Sequence, residues 1–293
     1  MKNFYFIVLS FIISTLLLSS CNYNDVDGIP AYITVDTTYF NVNYPSIQGS
    51  SSHNISEVWV YVDNTIQGVY DIPVTFPIIA SGATAIKMRA GIKINGVSGQ
   101  WIYYPFYDIC DFGDVNLTRG EITTLNPTFT YSSAADFVWI EDYENMSTSL
   151  TKYANSDTTI TILNKNEGDV FEGFFCGKIV LEDDRTYFAI ANADGFADLP
   201  VDGSAVYLEL NYKIDTVMCV GAIAQYDSGT DIQYPIVYLK ATNTWKKIYV
   251  NITTALTNYY AAEHFAIYFS GGSSSLETIG KKEFCIDNIK LLY

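Results

Sequence analysis

An all-β chain of two successive β-sandwiches is what the sequence predicts, on three observations. Apolar and polar residues alternate in short runs such as Val206-Tyr207-Leu208-Glu209-Leu210-Asn211-Tyr212, the period of two that a half-buried strand requires. Turn residues break those runs at short intervals, and helical periodicity is confined to Thr254 to His264, a turn or two. The length, 293 residues, suits two domains of ordinary size behind a short N-terminal segment.

The chain opens Met1-Lys2-Asn3 and continues as an apolar run from Phe4 to Leu18. A positive start, a short apolar stretch and then small residues form the layout of a secretory signal peptide. The run falls short of the ~20 apolar residues that a spanning helix uses. Leu18-Ser19-Ser20-Cys21 resembles the lipobox of bacterial lipoproteins. That resemblance implies a signal peptide over 1–20, cleavage before Cys21, a diacylglyceryl thioether on the Cys21 thiol and an acyl chain on the new amino group. Two lipid signals already give stable anchoring, so a membrane is an expected partner through the lipid. Asn22 after the cysteine, in place of aspartate, favours the outer membrane, and Asp25 and Asp27 favour display on the cell surface. Residues 21–29 are then a tether.

The net charge is −16, from 32 acidic and 16 basic residues. Such a surface repels nucleic acid and anionic headgroups, so neither is expected as a partner. Aromatics reach 15 %, with 24 tyrosines; an apolar ring with a polar tip suits half-buried sheets and faces that stack on sugars. After Cys21 the cysteines are Cys110, Cys176, Cys219 and Cys285, which permit three pairings. The last three lie in strand-like runs, where a free thiol serves as a small buried apolar group, and free thiols are the favoured state.

Residues 30–131 read as short strands: Ala31 to Val35, Val58 to Val62, Ile66 to Tyr70, Ala85 to Ala90, Ile92 to Ile94 and Thr128 to Tyr131. Asp63-Asn64 between two of them has hairpin chemistry, and Asn95-Gly96 marks another turn. The Val-Tyr-Val-Asp-Asn pattern followed by Ala80-Ser81-Gly82 resembles Ig-like or transthyretin-like modules of secreted proteins, which implies a spacer. Residues 132–293 begin with a small-residue linker, Ser132-Ser133-Ala134-Ala135. Their strands are Asp157 to Leu163, Gly177 to Leu181, Val206 to Tyr212, Thr216 to Ala224, Ile236 to Lys240, Lys247 to Asn251, Phe265 to Phe269 and Glu283 to Leu292. Three features resemble jelly-roll carbohydrate-binding modules and related galactose-binding-like domains. They are the acidic first strand Trp139-Ile140-Glu141-Asp142-Tyr143-Glu144, the tryptophan-led strand from Thr244-Trp245, and the closing Ile286-Asp287-Asn288-Ile289. The expected fold is therefore an Ig-like or transthyretin-like sandwich followed by a jelly-roll β-sandwich.

The resemblance implies a structural calcium joining the first and last strands, with Glu141, Asp142, Glu144 and Asp287 as its oxygen donors. Asp287 shares parity with Ile289 and Leu291, which would aim it inward. Carboxylates hydrogen-bonded at a turn remain the equal alternative. No other cofactor is expected. Sugar recognition needs aromatic platforms beside polar groups, and the loop from Tyr226 to Asp231 with Tyr234 offers both; Tyr226, Asp227, Asp231 and Tyr234 are the expected ligand residues. Trp245 reads as a packing residue.

Catalysis is not expected. There are two histidines, no nucleophile-elbow motif, no phosphate-cradling loop, and Asp183-Asp184 reads as an exposed turn and not as a catalytic carboxylate pair. Two functions stay open: a surface lipoprotein that binds a glycan through the C-terminal sandwich, and a structural or adhesive lipoprotein that binds another surface protein and has no sugar site.

Overall fold

The computed structural model describes residues 28–182, 184–192, 194–272 and 280–293. The signal segment and Cys21 lie outside the described residues, as does Asp183. The regular secondary structure of the remainder is nearly all strand, as the alternation requires.

The N-terminal part holds β1 (Ala31–Val35), β2 (Tyr39–Asn41), β3 (Glu57–Val62), β4 (Thr65–Asp71), β5 (Val74–Ile78), β6 (Gly82–Lys93), β7 (Trp101–Tyr103), β8 (Cys110–Leu117), β9 (Ile122–Thr124) and β10 (Thr128–Thr130). One sheet runs β4-β3-β6-β7, with β8 also on β6; opposite it stand β5-β1-β9 and the parallel pair β2–β10. Val58, Val60, Ile86 and Met88 from the first layer meet Ile33, Val35, Phe76 and Ile78 from the second, all buried. The β3–β4 turn is the predicted one: Asp63 and Asn64 both take positive φ (48° and 63°), which suits the twist of a two-residue hairpin. The two runs expected at 85–90 and 92–94 are one twelve-residue strand, β6.

The C-terminal part holds β11 (Phe137–Glu141), β12 (Thr151–Lys152), β13 (Thr161–Asn164), β14 (Phe175–Leu181), β15 (Tyr187–Ala191), β16 (Tyr207–Ile214), β17 (Met218–Gln225), β18 (Asp231–Leu239), β19 (Thr242–Asn251), β20 (His264–Gly272) and β21 (Lys282–Leu292). One antiparallel sheet runs β13-β14-β21-β16-β19, with β11 also on β21. The other runs β12-β15-β20-β17-β18. Leu208, Leu210, Ile248, Val250, Ile286 and Leu291 of the first pack against Phe188, Ile190, Val220, Ile267 and Phe269 of the second. The helix-like piece is one short helix, Thr253–Asn258, and a four-residue helix that the sequence pattern does not predict, Pro45–Gln48, stands in the N-terminal part. All four described cysteines are free thiols.

The outer face of the β16–β19–β21 sheet is largely covered by the N-terminal sandwich, and Lys213 at the end of β16 still reaches solvent. Tyr207, Tyr249 and Leu292 belong to the same apolar cluster as Tyr104, Phe106, Tyr107, Phe129 and Tyr131 of the N-terminal part. Between these rings sits Glu209, fully buried. Its carboxylate accepts hydrogen bonds from Tyr104 Oη (2.9 Å) and Tyr131 Oη (2.9 Å) and pairs with Lys247 Nζ at 2.9 Å. Lys290, also buried, donates to Tyr131 Oη at 3.0 Å and to the Ser50 carbonyl. Ile94 forms a bridge with Tyr249, and Asn95 Oδ1 accepts from the Asn251 amide at 2.9 Å. The polar residues alternating along β16, which read as a solvent face in sequence, form a domain–domain interface.

Asp287 does not follow the expected parity. Asn288 takes a φ of +49°, and the β16–β21 register shifts between Glu209 and Asn211. This bulge inserts one residue, so Ile286 and Ile289 both face the core while Asp287 is turned to the opposite side.

Candidate functional site

The sheet β12-β15-β20-β17-β18 has its outer face turned away from the N-terminal sandwich. Phe188, Ile190, Met218, Val220, Phe265, Ile267 and Phe269 take the core side, so alternation places Tyr187, Ala189, Ala191, Cys219, Ile223, Ala266, Tyr268 and Ser270 on the other. Tyr238 joins them, paired opposite Cys219. Right-handed twist lifts one diagonal pair of sheet corners toward each other, and here they touch. Tyr153, just after β12 at one edge, donates from Oη to Asp231 Oδ2 at 3.0 Å on β18 at the other edge. Its ring packs on the small apolar floor of Ala191, Ile223, Ala266 and Tyr268. The face is thus a trough crossed by one side chain.

Beyond that crossing the trough opens into a pocket of about 420 Å³ lined by Thr186, Tyr187, Val217, Cys219, Tyr238, Ser270, Gly271 and Gly272. Tyr238 is 63 % exposed, a high value for a tyrosine on a sheet face. Tyr187 stands on β15, three strand positions away, a span of ~14 Å at ordinary strand spacing. Between the two rings the floor offers the Ser270 hydroxyl and the Cys219 thiol, whose Sγ lies 3.7 Å from Tyr268 Oη. Burial pushes the Tyr268 hydroxyl and the Cys219 thiol up from their ordinary pKa, so both stay protonated and uncharged at neutral pH. Among the described residues its lining has ring faces and hydroxyls and no ionised group. It can stack on a flat apolar face and hydrogen-bond a ligand's hydroxyls.

The four expected ligand residues are not brought together. Asp231 lies on the trough as the acceptor of Tyr153, and Asp227 is exposed in the β17–β18 turn. Tyr226 is half-buried against the core cluster. A bulge opposite Val220 and Gly221 leaves Ile236 unpaired and reverses the parity of β18, so Tyr238 faces the trough while Tyr234 faces the core side. There Tyr234 meets the Tyr259 ring edge-on, centroids 5.8 Å apart. Tyr187 was hidden in the unbroken apolar run Tyr-Phe-Ala-Ile-Ala, which gives no alternation to read. Trp245 packs beside Leu163, Cys176 and Cys285 and against Phe171.

Of the acidic residues of the first and last strands, Asp142 and Glu144 line one pocket with Glu172 and Asn288, close to Asp287, while Glu141 bonds to the 148–149 turn. Glu141 Oε2 accepts from the Ser149 amide (2.8 Å), Ser149 Oγ (3.0 Å) and Thr148 Oγ1 (3.2 Å). Glu144 Oε1 accepts the amides of Phe174 (2.8 Å) and Phe175 (3.0 Å), and Asp142 Oδ1 accepts the Glu144 amide at 3.1 Å. Asp287 accepts the Asn288 amide at 2.8 Å and the Glu172 amide at 3.4 Å. Among the described residues no three His, Cys, Asp or Glu side chains are grouped to hold a metal ion. These hydrogen bonds fit carboxylates held at turns, and the proximity of Asp142 and Glu144 to Asp287 keeps the calcium reading beside them. Differential scanning fluorimetry with EDTA separates the two: a fall in melting temperature restored by calcium supports the cation, and no shift removes it.

No protein-family model matches the chain, and no curated protein does. Among solved structures it is similar to a xylan-binding domain of carbohydrate-binding module family 22, at 15 % identity over 55 % of this chain and 96 % of that one, TM-score 0.37. It is similar to a family 11 module from Clostridium thermocellum in complex with a β-1,3-1,4-mixed-linked tetrasaccharide, at 11 % identity over 54 % and 94 %, TM-score 0.37. A third structure concerns promiscuous specificity in carbohydrate-binding modules of the β-sandwich superfamily; it matches at 10 % identity over 91 % and 99 %, TM-score 0.39. With these TM-scores below 0.5, nothing about ligand or activity is taken from the likeness.

Proposed function

We propose that this chain is a non-catalytic, lipid-anchored surface protein that binds a glycan in the trough of its C-terminal sandwich. The observation that supports this reading best is the pair Tyr187 and Tyr238 flanking an uncharged pocket floored by Ser270, Cys219 and two glycines. Pyranose rings present apolar C–H faces that stack on aromatic rings and a rim of hydroxyls that pair with side-chain hydroxyls. The lipobox at Cys21 supports the anchor, and its test is the mass of the mature N-terminus, which should carry the lipid.

Affinity electrophoresis through gels containing xylan, mixed-linkage β-glucan or mannan tests the trough. At least one neutral polysaccharide should retard the wild type, and a Tyr187→Ala/Tyr238→Ala double variant should migrate freely, since stacking contributes roughly 1 kcal/mol per ring beyond the area it buries. Equal retardation of wild type and variant would place the sugar elsewhere. Free migration in every gel, with a stoichiometric protein co-purifying from the membrane, would favour the adhesive reading.

A further inference from the structure

On the outer face of the N-terminal sheet some of the chain's polar groups lack partners. Val58 and Val60 of β3 and Met88 and Ala90 of β6 point into the core, so Glu57, Trp59 and Tyr61 share the outer face with Arg89, Gly91 and Lys93. The β6–β7 pairing sets Tyr103 beside Gly91 and Trp101 beside Lys93. The result is a compact patch centred on Tyr103. Its ring meets Trp59 edge-on with centroids 5.5 Å apart, and the Arg89 guanidinium lies over it at 4.7 Å. Tyr103 and Trp101 are 37 % and 49 % exposed.

Three groups in this patch are chemically incomplete. Arg89 makes its cation–π contact with Tyr103, and among the described residues no carboxylate pairs with it, although the chain carries twice as many acids as bases. By contrast, Lys87 has Asp111 at 3.4 Å. Glu57 is 2 % exposed; its Oε2 accepts from Ser56 Oγ at 2.7 Å, but Oε1 stands 3.6 Å from Lys93 Nζ and accepts no hydrogen bond. The indole Nε1 of Trp59 is a buried donor with no acceptor. Natural structures rarely leave such atoms unsatisfied; a water, an ion or a ligand group supplies the partner.

We propose that this face is a second ligand site, and that it takes a uronate-bearing glycan. Such a ligand supplies C–H faces for the exposed rings of Trp101 and Tyr103 and a carboxylate for the fork of Arg89; its hydroxyls reach the buried Glu57 Oε1 and Trp59 Nε1 once the side chains over them shift. Arginine on an aromatic ring is pre-organised for bidentate carboxylate recognition. Among the described residues the trough's pocket has no such cation, so the two faces differ in the charge of the sugar they accept.

Affinity electrophoresis with polygalacturonate as the probe separates this site from the trough. The wild type should be retarded, and Arg89→Ala should weaken retardation by about ten- to a hundred-fold, the loss expected when a charged hydrogen-bond pair is removed. Arg89→Lys, which keeps the charge and loses the fork, should fall between. The Tyr187→Ala/Tyr238→Ala variant should still bind polygalacturonate. Circular dichroism melts confirm that each variant is folded. Unchanged retardation of Arg89→Ala overturns the site. Loss in the trough variant alone moves uronate binding to the trough and also overturns it. Equal retardation by polyglutamate overturns the assignment to a glycan, and a wild type that polygalacturonate does not retard ends the proposal while leaving the neutral-glycan reading untouched.

Discussion

Glu209→Ala should destabilise the whole chain by about 3–5 kcal/mol, the typical cost of removing one partner from a buried ion pair. Burial works to raise the Glu209 carboxyl pKa, yet Lys247 and Lys290 beside it, with hydrogen bonds from Lys247 and Tyr104, hold it below its ordinary value. Deleting the carboxylate leaves two buried ammonium groups and two tyrosine hydroxyls, Tyr104 and Tyr131, without their acceptor. These groups come from both sandwiches, so both should unfold in one transition, in the wild type and in the variant. Urea denaturation followed by tyrosine fluorescence reads this directly. Two separated transitions, or a loss below about 1 kcal/mol, would mean that the interface is not a shared core. Lys290 adds a pH signature. Burial and Lys247 pull its pKa down to about 7, against about 10.5 in the unfolded chain. The unfolded state therefore holds more protons between those values, and this group's cost is fully present below pH 7 and relieved as pH rises toward 10.5. Above pH 10 the trend reverses. Tyr104, Tyr107 and Tyr131 keep their protons when folded and lose them when unfolded.

Asp287→Asn should act in the opposite sense and stabilise the protein at alkaline pH. Burial, with Glu144 and Glu172 nearby, raises the Asp287 carboxyl to about 8, although the Asn288 and Glu172 amides oppose this. A carboxyl that ionises near 3.8 unfolded and near 8 folded holds its proton only in the fold between those values. Stability from this group is therefore lost as pH rises through that window, and the full cost is present above pH 8. The amide variant carries no such charge. Its gain over wild type should be negligible near pH 4 and reach about 2–4 kcal/mol above pH 8; a four-unit shift bounds it near 5 kcal/mol, and the amide serves the two donated N–H groups less well than a carboxylate. Melting temperatures of both proteins from pH 4 to 9 test it. A gain that is constant across the range would assign the effect to packing and not to ionisation.

How much of this was legible in sequence depended on whether one side of a strand stays wet. β1, β3, β4, β14, β17, β20 and β21 showed themselves through alternation or long apolar runs, and Asp63-Asn64 marked its hairpin. β2, β7, β9 and β12 have two or three residues each, too few for any period to register, and β8 (Cys-Asp-Phe-Gly-Asp-Val-Asn-Leu) is largely exposed. Two single-residue bulges did the most damage. One at Asn288 reversed Asp287, and one at Ile236 exchanged the roles of Tyr234 and Tyr238; neither leaves a mark in a pattern read two residues at a time. Glu209 was misread for a different reason. Its alternation with Leu208 and Leu210 was real, but the polar face it defined is covered by a second domain, and strand periodicity carries no information about what lies beyond the sheet.

Hydrogen–deuterium exchange, with and without the neutral polysaccharide that retards the protein most, is the most direct test of the central claim. Binding in the trough predicts added protection in β15, β17, β18 and β20, centred on Tyr187, Cys219 and Tyr238, with β16, β19 and β21 unchanged beneath the N-terminal sandwich. Protection confined to β3, β6 and β7, or spread over the domain interface and absent from β17 and β18, would contradict it.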